Sequence, residues 1–220
     1  MSSFLGSSIG KKLIMSVTGL FLIMFLLVHL FLNLLTLVGS DVFNTAAHFM
    51  GTNPIMKVME FALAAGFLFH MVYALYLTIV NQNARPVKYA VANKSKATSW
   101  ASKNMLITGG VVLIFLVLHL MNYYYKIKFT DLIESGEMTE YDLVVGLFQP
   151  ENWYYVVIYI GWFILLGLHL NHAFQSAFQT LGLNNKTWER RLIVIGNIYA
   201  LVISIGFSII PIYFFINSLM

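Results

Sequence analysis

The chain has 220 residues, of which 59% are hydrophobic and only 10% are charged, and its mean hydropathy is +0.78. Because a soluble domain carries roughly a quarter charged residues, this composition indicates a protein that folds in lipid. The absence of cysteine excludes disulfides, thiolate-held iron–sulfur clusters and haem attached through a C-x-x-C-H motif. Any redox cofactor must therefore be held non-covalently, by histidine or methionine.

Five apolar stretches each exceed the roughly 20 residues that a helix needs to cross a membrane. They cover residues 13–38, 58–80, 105–125, 153–178 and 192–219. We therefore predict an all-α integral membrane bundle with five transmembrane helices, forming a single domain over residues 1–220. The first stretch is longer than the core of a signal peptide and is not followed by a cleavage pattern, so we expect it to be retained.

The basic residues concentrate in the N-terminus and in the segments between stretches two and three and between four and five. These regions contain ten of the thirteen basic residues: Lys11, Lys12, Arg85, Lys88, Lys94, Lys96, Lys103, Lys186, Arg190 and Arg191. They contain a single acidic residue, Glu189. By the positive-inside rule, the N-terminus is predicted to be cytoplasmic and the C-terminus to lie outside. The net charge of +4 then reflects membrane topology, and no nucleic-acid partner is expected.

Histidines are placed unusually for a membrane protein. There are six of them, His29, His48, His70, His119, His169 and His172. Every one of the first four stretches contains at least one, and the fifth contains none. A single buried histidine is commonly a packed residue bonded to a backbone carbonyl. One in each of four consecutive spans favours function, because ionisable groups are costly inside a membrane.

Counting from the basic ends of the helices suggests how these histidines pair. His29 and His119 fall late in outward-running spans, whereas His70 and His169 fall at similar counts from the cytoplasmic end of inward-running spans. The counts favour an outer pair of His29 with His119 and an inner pair of His70 with His169 or His172, although the depths overlap. Two inward-facing pairs on four helices are what two six-coordinate haems require, and such haems suit electron transfer.

Two glycines repeat the spacing of the outer pair. Gly19 precedes His29 by ten residues, and Gly109 precedes His119 by ten. Ten residues correspond to about 15 Å along a helix, so each glycine lies one level toward the cytoplasm. One hypothesis is that both thin the helix surface beside the inner macrocycle. The alternative is ordinary packing of small residues, which is common in membranes.

These segments together resemble the cytochrome b membrane anchor of succinate dehydrogenase and fumarate reductase, in its single-chain, five-helix, two-haem form. KKLIMSVTGLFLIMFLLVHLFLN resembles the first helix of that family, and FNTAAHFM resembles its outer first loop almost letter for letter. FLFHMVY, LHLMNYY and HLNHAFQSAF resemble the second, third and fourth ligand helices. The fourth ligand of the family matches His169, which leaves His172 with a secondary role.

The resemblance implies two haem b groups, with outer axial ligands His29 and His119 and inner axial ligands His70 and His169. It also implies a place in the inner (cytoplasmic) membrane of a bacterium and two cytoplasmic partners, a flavoprotein and an iron–sulfur protein that carry the succinate/fumarate chemistry. The chain would pass electrons between them and a membrane quinone, which in two-haem members is usually menaquinone. The direction of the reaction and a dimer of complexes are left open.

Three further residues are candidates for roles around this centre. Glu60, near the outer start of the second span, is a candidate proton acceptor for quinone chemistry, or else pairs with Lys57 one turn away. His48, within FNTAAHFM, is a candidate for bonding a haem propionate or bordering the quinone site. The basic segment 85–103 is a candidate docking surface for the iron–sulfur subunit, or else a determinant of topology at the lipid headgroups.

Two other classes of protein fit some of these features. The cytochrome b subunit of a membrane hydrogenase or formate dehydrogenase also places histidines on a few helices, although FNTAAHFM argues against it. A haem-free proton-coupled transporter would use the buried histidines as a relay, but the chain has no convincing internal repeat. An anchor that has lost its cofactors is disfavoured because all four ligand positions are filled.

Overall fold

A computed structural model describes residues 7–84, 104–183 and 185–220 of the chain, and all regular structure in these ranges is helical. The helices are α1 (Ser8–Leu34), α2 (Ser40–Thr52), α3 (Pro54–Asn83), α4 (Met105–Phe129), α5 (Glu140–Leu147), α6 (Trp153–Thr180) and α7 (Lys186–Leu219). Among them α1, α3, α4, α6 and α7 are long and apolar enough to cross a membrane. The prediction of an all-α protein with five spans is confirmed. The basic segment 85–103 lies outside the described residues.

Three of the spanning helices begin earlier than the apolar stretches predicted. Ser7, Asn53 and Asn185 each cap a helix by accepting a hydrogen bond from a backbone N–H within its first turn. Capping side chains of this kind satisfy donors that have no partner inside the helix. The polar first turns therefore belong to α1, α3 and α7, which start well before positions 13, 58 and 192.

Because α7 starts early, its first turns include basic residues. Lys186, Arg190 and Arg191 lie on the first turns of the helix rather than in a connecting loop. The Arg191 guanidinium lies over the Trp188 ring, 5.4 Å from its centre. At the other end of α7 the helix continues through Pro211, which is fully buried.

The core is centred on the contact between α6 and α7, the most extensive pairing in the bundle. α1 packs against both helices, α4 packs against α6, and α3 packs against α1. Ile203 on α7 is fully buried, and the Tyr199 hydroxyl donates to the carbonyl of Ile23 on α1 at 2.9 Å. The fifth span, which has no histidine, is therefore packed into the bundle as a supporting helix.

Two short helices cover one end of the bundle, where the sequence alone suggested loops. α2 contains the FNTAAHFM segment and begins after Gly39, whose φ of 152° reverses the chain after α1. α5 begins with a capping box in which Thr139 and Asp142 bond to each other's backbone N–H groups. The Asn44 side chain of α2 accepts a hydrogen bond from the backbone N–H of Tyr141 at 3.0 Å, which ties the two short helices together.

Candidate haem-binding site

The structure brings His29 of α1 next to His119 of α4. Their ring centres are 5.7 Å apart and the rings are almost perpendicular, at 88°. Phenylalanine rings surround the pair: Phe25 stacks on His29 at 5.2 Å, and Phe207 of α7 lies 5.7 Å from the same ring. Phe115 lies one turn before His119, 5.8 Å away. Two imidazoles from different helices thus lie edge to face beside several phenylalanine rings.

A second pair involves His70 of α3 and His169 of α6, which lie near enough to interact electrostatically. The Nδ1 atom of His70 lies 3.1 Å from the hydroxyl of Thr18 on α1. The Nδ1 atom of His169 lies 3.3 Å from the hydroxyl of Thr108 on α4. Each histidine of this pair therefore contacts one of the two helices that contribute the outer pair.

The glycines that follow these threonines face the same two rings. A Cβ atom at Gly19 would lie 3.4 Å from Cε1 of His70, and one at Gly109 would lie 3.5 Å from Cε1 of His169. Thr18 and Thr108 each lie eleven positions before the outer histidine of their own helix. Eleven residues rise about 16 Å, so the two pairs lie at two levels of the bundle.

The residues at both levels fit haem. At the outer level, Nδ1 of His119 is buried without a hydrogen-bond partner, although it is a polar atom in an apolar setting. At the inner level, the lack of side chains at Gly19 and Gly109 lets the two imidazoles lie close to α1 and α4. In the described part of the chain no group of three or more His, Asp or Glu side chains is placed to hold a bare metal ion. Axial haem ligation needs only two imidazoles, and each level provides two.

α4 changes its geometry directly after His119. Residues Leu120–Tyr124 form a π-helical turn between two α-helical segments. Such turns are rare, and they occur frequently at functional sites. Asn122 within this turn is buried and donates to the Tyr159 hydroxyl of α6 at 3.0 Å, which fixes α4 against its neighbour close to the outer pair.

The remaining two histidines are placed differently. His172 lies on α6, three residues after His169, and is partly buried. It is close enough to His169 for the two rings to interact electrostatically. The contacts with Thr108 and Gly109 are made by His169. His48 is exposed on α2, and its carbonyl accepts a hydrogen bond from Thr52.

Glu60 joins α3 to α4 at the end of the bundle that α2 and α5 cover. Its carboxylate accepts a hydrogen bond from the Tyr124 hydroxyl at 2.7 Å and forms an ion pair with Lys128 at 3.0 Å. Both members of the ion pair are about one-third exposed. The ion-pair partner of Glu60 is thus Lys128 on the neighbouring helix, and not Lys57 on the same helix, which was the alternative that the sequence offered.

Sequence reasoning did not identify Thr18, Thr108 or Lys128. A signal for the two threonines was present, since the dipeptide Thr-Gly occurs eleven positions before a histidine in both α1 and α4. The lysine had no such signal, because its contact with Glu60 joins residues that are far apart in the sequence and depends on how the helices pack.

The fold and site define a multi-pass helical membrane protein with paired histidines on four of its spanning helices. Among curated proteins, the chain is similar to the succinate dehydrogenase cytochrome b558 subunit of Bacillus subtilis (strain 168), with 30% identity over 96 residues. The aligned part is 43% of this chain and 45% of that protein, so the match spans less than half of either. No protein-family model and no solved structure matches the chain. The match and the five apolar helices fit a cytochrome b anchor subunit.

Proposed function

We propose that this chain is the membrane anchor and di-haem cytochrome b subunit of a succinate:quinone oxidoreductase. In this role it passes electrons between an iron–sulfur subunit and a membrane quinone. The observation that carries the proposal is the arrangement of four histidines from four helices in two pairs at two levels. The similarity to a succinate dehydrogenase cytochrome b558 subunit supports the same assignment.

His29 and His119 would hold the outer haem b, and His70 and His169 the inner one. Bound haem supplies one-electron transfer, and two imidazole ligands leave no open coordination position on its iron. The rings of Phe25, Phe115 and Phe207 contact the outer pair and give it a largely apolar setting. The helices hold the two levels at a separation of about 16 Å.

His169 is the better candidate than His172 for the fourth ligand. Its ring lies against Gly109, and its Nδ1 atom is close to the Thr108 hydroxyl, so α4 fixes the orientation of the ring. His172, three residues further along α6, is turned about 60° from His169 around the helix axis, which puts it on a neighbouring part of the α6 surface. We assign His172 a secondary role, in packing or in bonding a haem propionate.

The quinone site is proposed at the end of the bundle nearest the outer pair. Glu60 lies there with a carboxylate oriented by Tyr124 and Lys128, and it would accept protons released by a quinol or relay them to a quinone. Exposed His48 lies on α2, at the same end. Menaquinone is the proposed quinone, by resemblance to the two-haem anchors.

The partners are proposed at the opposite end of the bundle. There, Lys186, Arg190 and Arg191 line a surface hollow at the start of α7. A flavoprotein and an iron–sulfur subunit would bind on this face, which the positive-inside rule makes cytoplasmic. The chain would then lie in a bacterial inner membrane with its C-terminus outside.

The test is the reduced-minus-oxidised visible spectrum and the haem content of the purified chain, compared with His169→Ala and His172→Ala. We expect two b haems in the unmodified chain, one in His169→Ala and two in His172→Ala. Two haems in His169→Ala and one in His172→Ala would instead identify His172 as the fourth ligand. A folded chain without haem would contradict the proposal and favour a haem-free proton-coupled transporter.

A further inference from the structure

Two threonines make matching contacts with the inner pair of histidines. The Thr18 hydroxyl lies 3.1 Å from Nδ1 of His70, and the Thr108 hydroxyl lies 3.3 Å from Nδ1 of His169. Thr108 is almost completely buried, at 2% exposure. Each contact crosses between helices, from α1 to α3 and from α4 to α6, so both depend on tertiary packing.

Both hydroxyls also lie within hydrogen-bond distance of backbone carbonyl oxygens. The Thr18 hydroxyl also lies 3.1 Å from the carbonyl oxygen of Ile14 and 3.0 Å from that of Met15. The Thr108 hydroxyl lies 3.1 Å from the carbonyl oxygen of Met105. A hydroxyl has one proton, and a carbonyl can only accept. A hydroxyl proton given to the backbone carbonyl leaves the oxygen lone pair to accept from Nδ1–H of the histidine.

This arrangement selects one tautomer of each inner histidine. With the proton on Nδ1, the lone pair is on Nε2, the atom that remains free to bind a metal. Histidines that bind metals generally donate their other ring N–H to an acceptor, which fixes the ring and increases its basicity as a ligand.

The outer pair has no equivalent arrangement. Nδ1 of His119 has no hydrogen-bond partner in the described part of the chain. The Asn33 amide nitrogen lies 3.4 and 3.5 Å from the two ring nitrogens of His29, and this nitrogen is a donor. The threonine contacts are thus specific to the inner level.

We propose that Thr18 and Thr108 are positioning residues that hold His70 and His169 in the metal-binding tautomer and lower the midpoint potential of the inner haem. This inference rests on the proposed function, in which these two histidines are haem ligands. An acceptor on Nδ1–H increases electron donation by the imidazole, which favours ferric over ferrous iron. Loss of either hydroxyl should therefore raise the midpoint potential.

The experiment compares Thr18→Val and Thr108→Val, which remove the hydroxyls, with Thr18→Ser and Thr108→Ser, which keep them. Thr78→Val is the matched control, because the Thr78 hydroxyl of α3 also donates to a backbone carbonyl one turn earlier, that of Ala74 at 2.9 Å. The midpoint potential of the inner haem is measured in the full chain of every variant by redox titration followed by visible absorbance. The measurements are repeated in a His29→Ala background, in which only the inner haem remains.

Each valine variant is expected to favour reduction of the inner haem by about tenfold, which is 59 mV for a one-electron couple. The serine variants and Thr78→Val should keep the potential of the unmodified chain. Loss of the inner haem in a valine variant, with retention in the matching serine variant, would also support the proposal. Unchanged potentials in the valine variants, or an equal change in Thr78→Val, would overturn it and leave the haem assignment intact.

A second readout does not require haem. In the haem-free chain, 15N-histidine NMR should report Nδ1–H tautomers for His70 and His169, and Thr18→Val should lose this preference at His70. Absence of the preference in the unmodified chain would contradict the tautomer assignment. Absence of haem from the purified unmodified chain would instead contradict the proposed function, so the two failures can be told apart.

Discussion

The ring of His119 lies perpendicular to the ring of His29, with the two centres 5.7 Å apart, although the residues belong to different helices and to distant parts of the sequence. The inner pair contacts other parts of α1 and α4, at Thr18 and Thr108. The two pairs therefore lie at separate levels, and each pair is formed by one residue from each of two helices.

The first prediction is that His29→Ala and His119→Ala remove the same haem. Because a haem with two axial ligands depends on both, each single variant should retain one b haem, and the double variant should also retain one. Haem content per chain and the α-band of the reduced spectrum measure this. Thr45→Ala, at an exposed site on α2, serves as the control and should retain two haems. Loss of both haems in the double variant would show that the residues belong to different sites.

The second prediction concerns the glycines beside the inner pair. In Gly109→Ala the new methyl group would contact His169 at 3.5 Å without overlap, so the chain should fold. The methyl group would occupy the space beside the imidazole, and we expect loss of the inner haem with the outer haem retained. Gly110→Ala is the neighbouring control, because a Cβ atom there meets nothing within 4 Å. Equal haem content in the two variants would mean that Gly109 only serves helix packing.

The five spans could be predicted from the sequence because a helix in lipid must satisfy its own backbone hydrogen bonds over a long apolar stretch. The helix ends were less predictable. Asn53 and Asn185 extend α3 and α7 into polar sequence by capping them, and a hydropathy pattern does not detect this. The short helices α2 and α5 do not stand out in the sequence, because their lengths and polar residues are also typical of connections between spans.

The site was predictable to the extent that it depends on residue type and position along a helix. The histidines, and Gly19 and Gly109, stand out because ionisable groups are rare in membranes and because the spacing repeats. The contacts of Thr18 with His70 and of Lys128 with Glu60 join helices whose rotation about their own axes the sequence does not define. Tertiary packing alone determines which faces meet.

The third prediction separates two roles of Glu60. If its carboxylate transfers protons to or from a quinone, Glu60→Gln should slow quinone reduction by the assembled complex by about 10²-fold, the usual contribution of a general acid or base. Reduction of the haems by succinate should be unaffected. If Glu60 only links α3 to α4, Glu60→Gln and Lys128→Met should each change the rate of quinone reduction by the same small amount. Both would remove only a partly exposed ion pair, which contributes roughly 0.2–1 kcal/mol to stability.

Lys128→Met is thus the control for Glu60→Gln. It removes the ion pair at 3.0 Å but leaves the carboxylate and its hydrogen bond from Tyr124. A rate of quinone reduction in Lys128→Met close to that of the unmodified complex, together with a slow Glu60→Gln, would support proton transfer. Equal rates of quinone reduction in the two variants would mean that Glu60 has only a structural role.

The fourth prediction concerns the close approach of α6 and α7, which supports the helix that carries His169. A Cβ atom at Gly167 would overlap the Ser204 hydroxyl and lie 3.3 Å from the carbonyl oxygen of Ala200, whereas one at Gly161 meets nothing within 4 Å. Close approach of helices at small residues is a main source of stability in membranes. Gly167→Ala should therefore lower the free energy of unfolding by about 1–3 kcal/mol through overpacking, and Gly161→Ala should not lower it.

A double variant identifies the atom responsible. Ser204→Ala removes the hydroxyl that would meet the new methyl group, and with it the hydrogen bond from Ser204 to the Phe163 carbonyl at 2.6 Å. Measured by denaturant unfolding in detergent, Gly167→Ala combined with Ser204→Ala should lose less stability than the sum of the two single variants. The Ala200 carbonyl remains close to the added methyl group, so recovery should be incomplete. Strict additivity of the two losses would show that the helices move apart along their whole contact, rather than at Ser204.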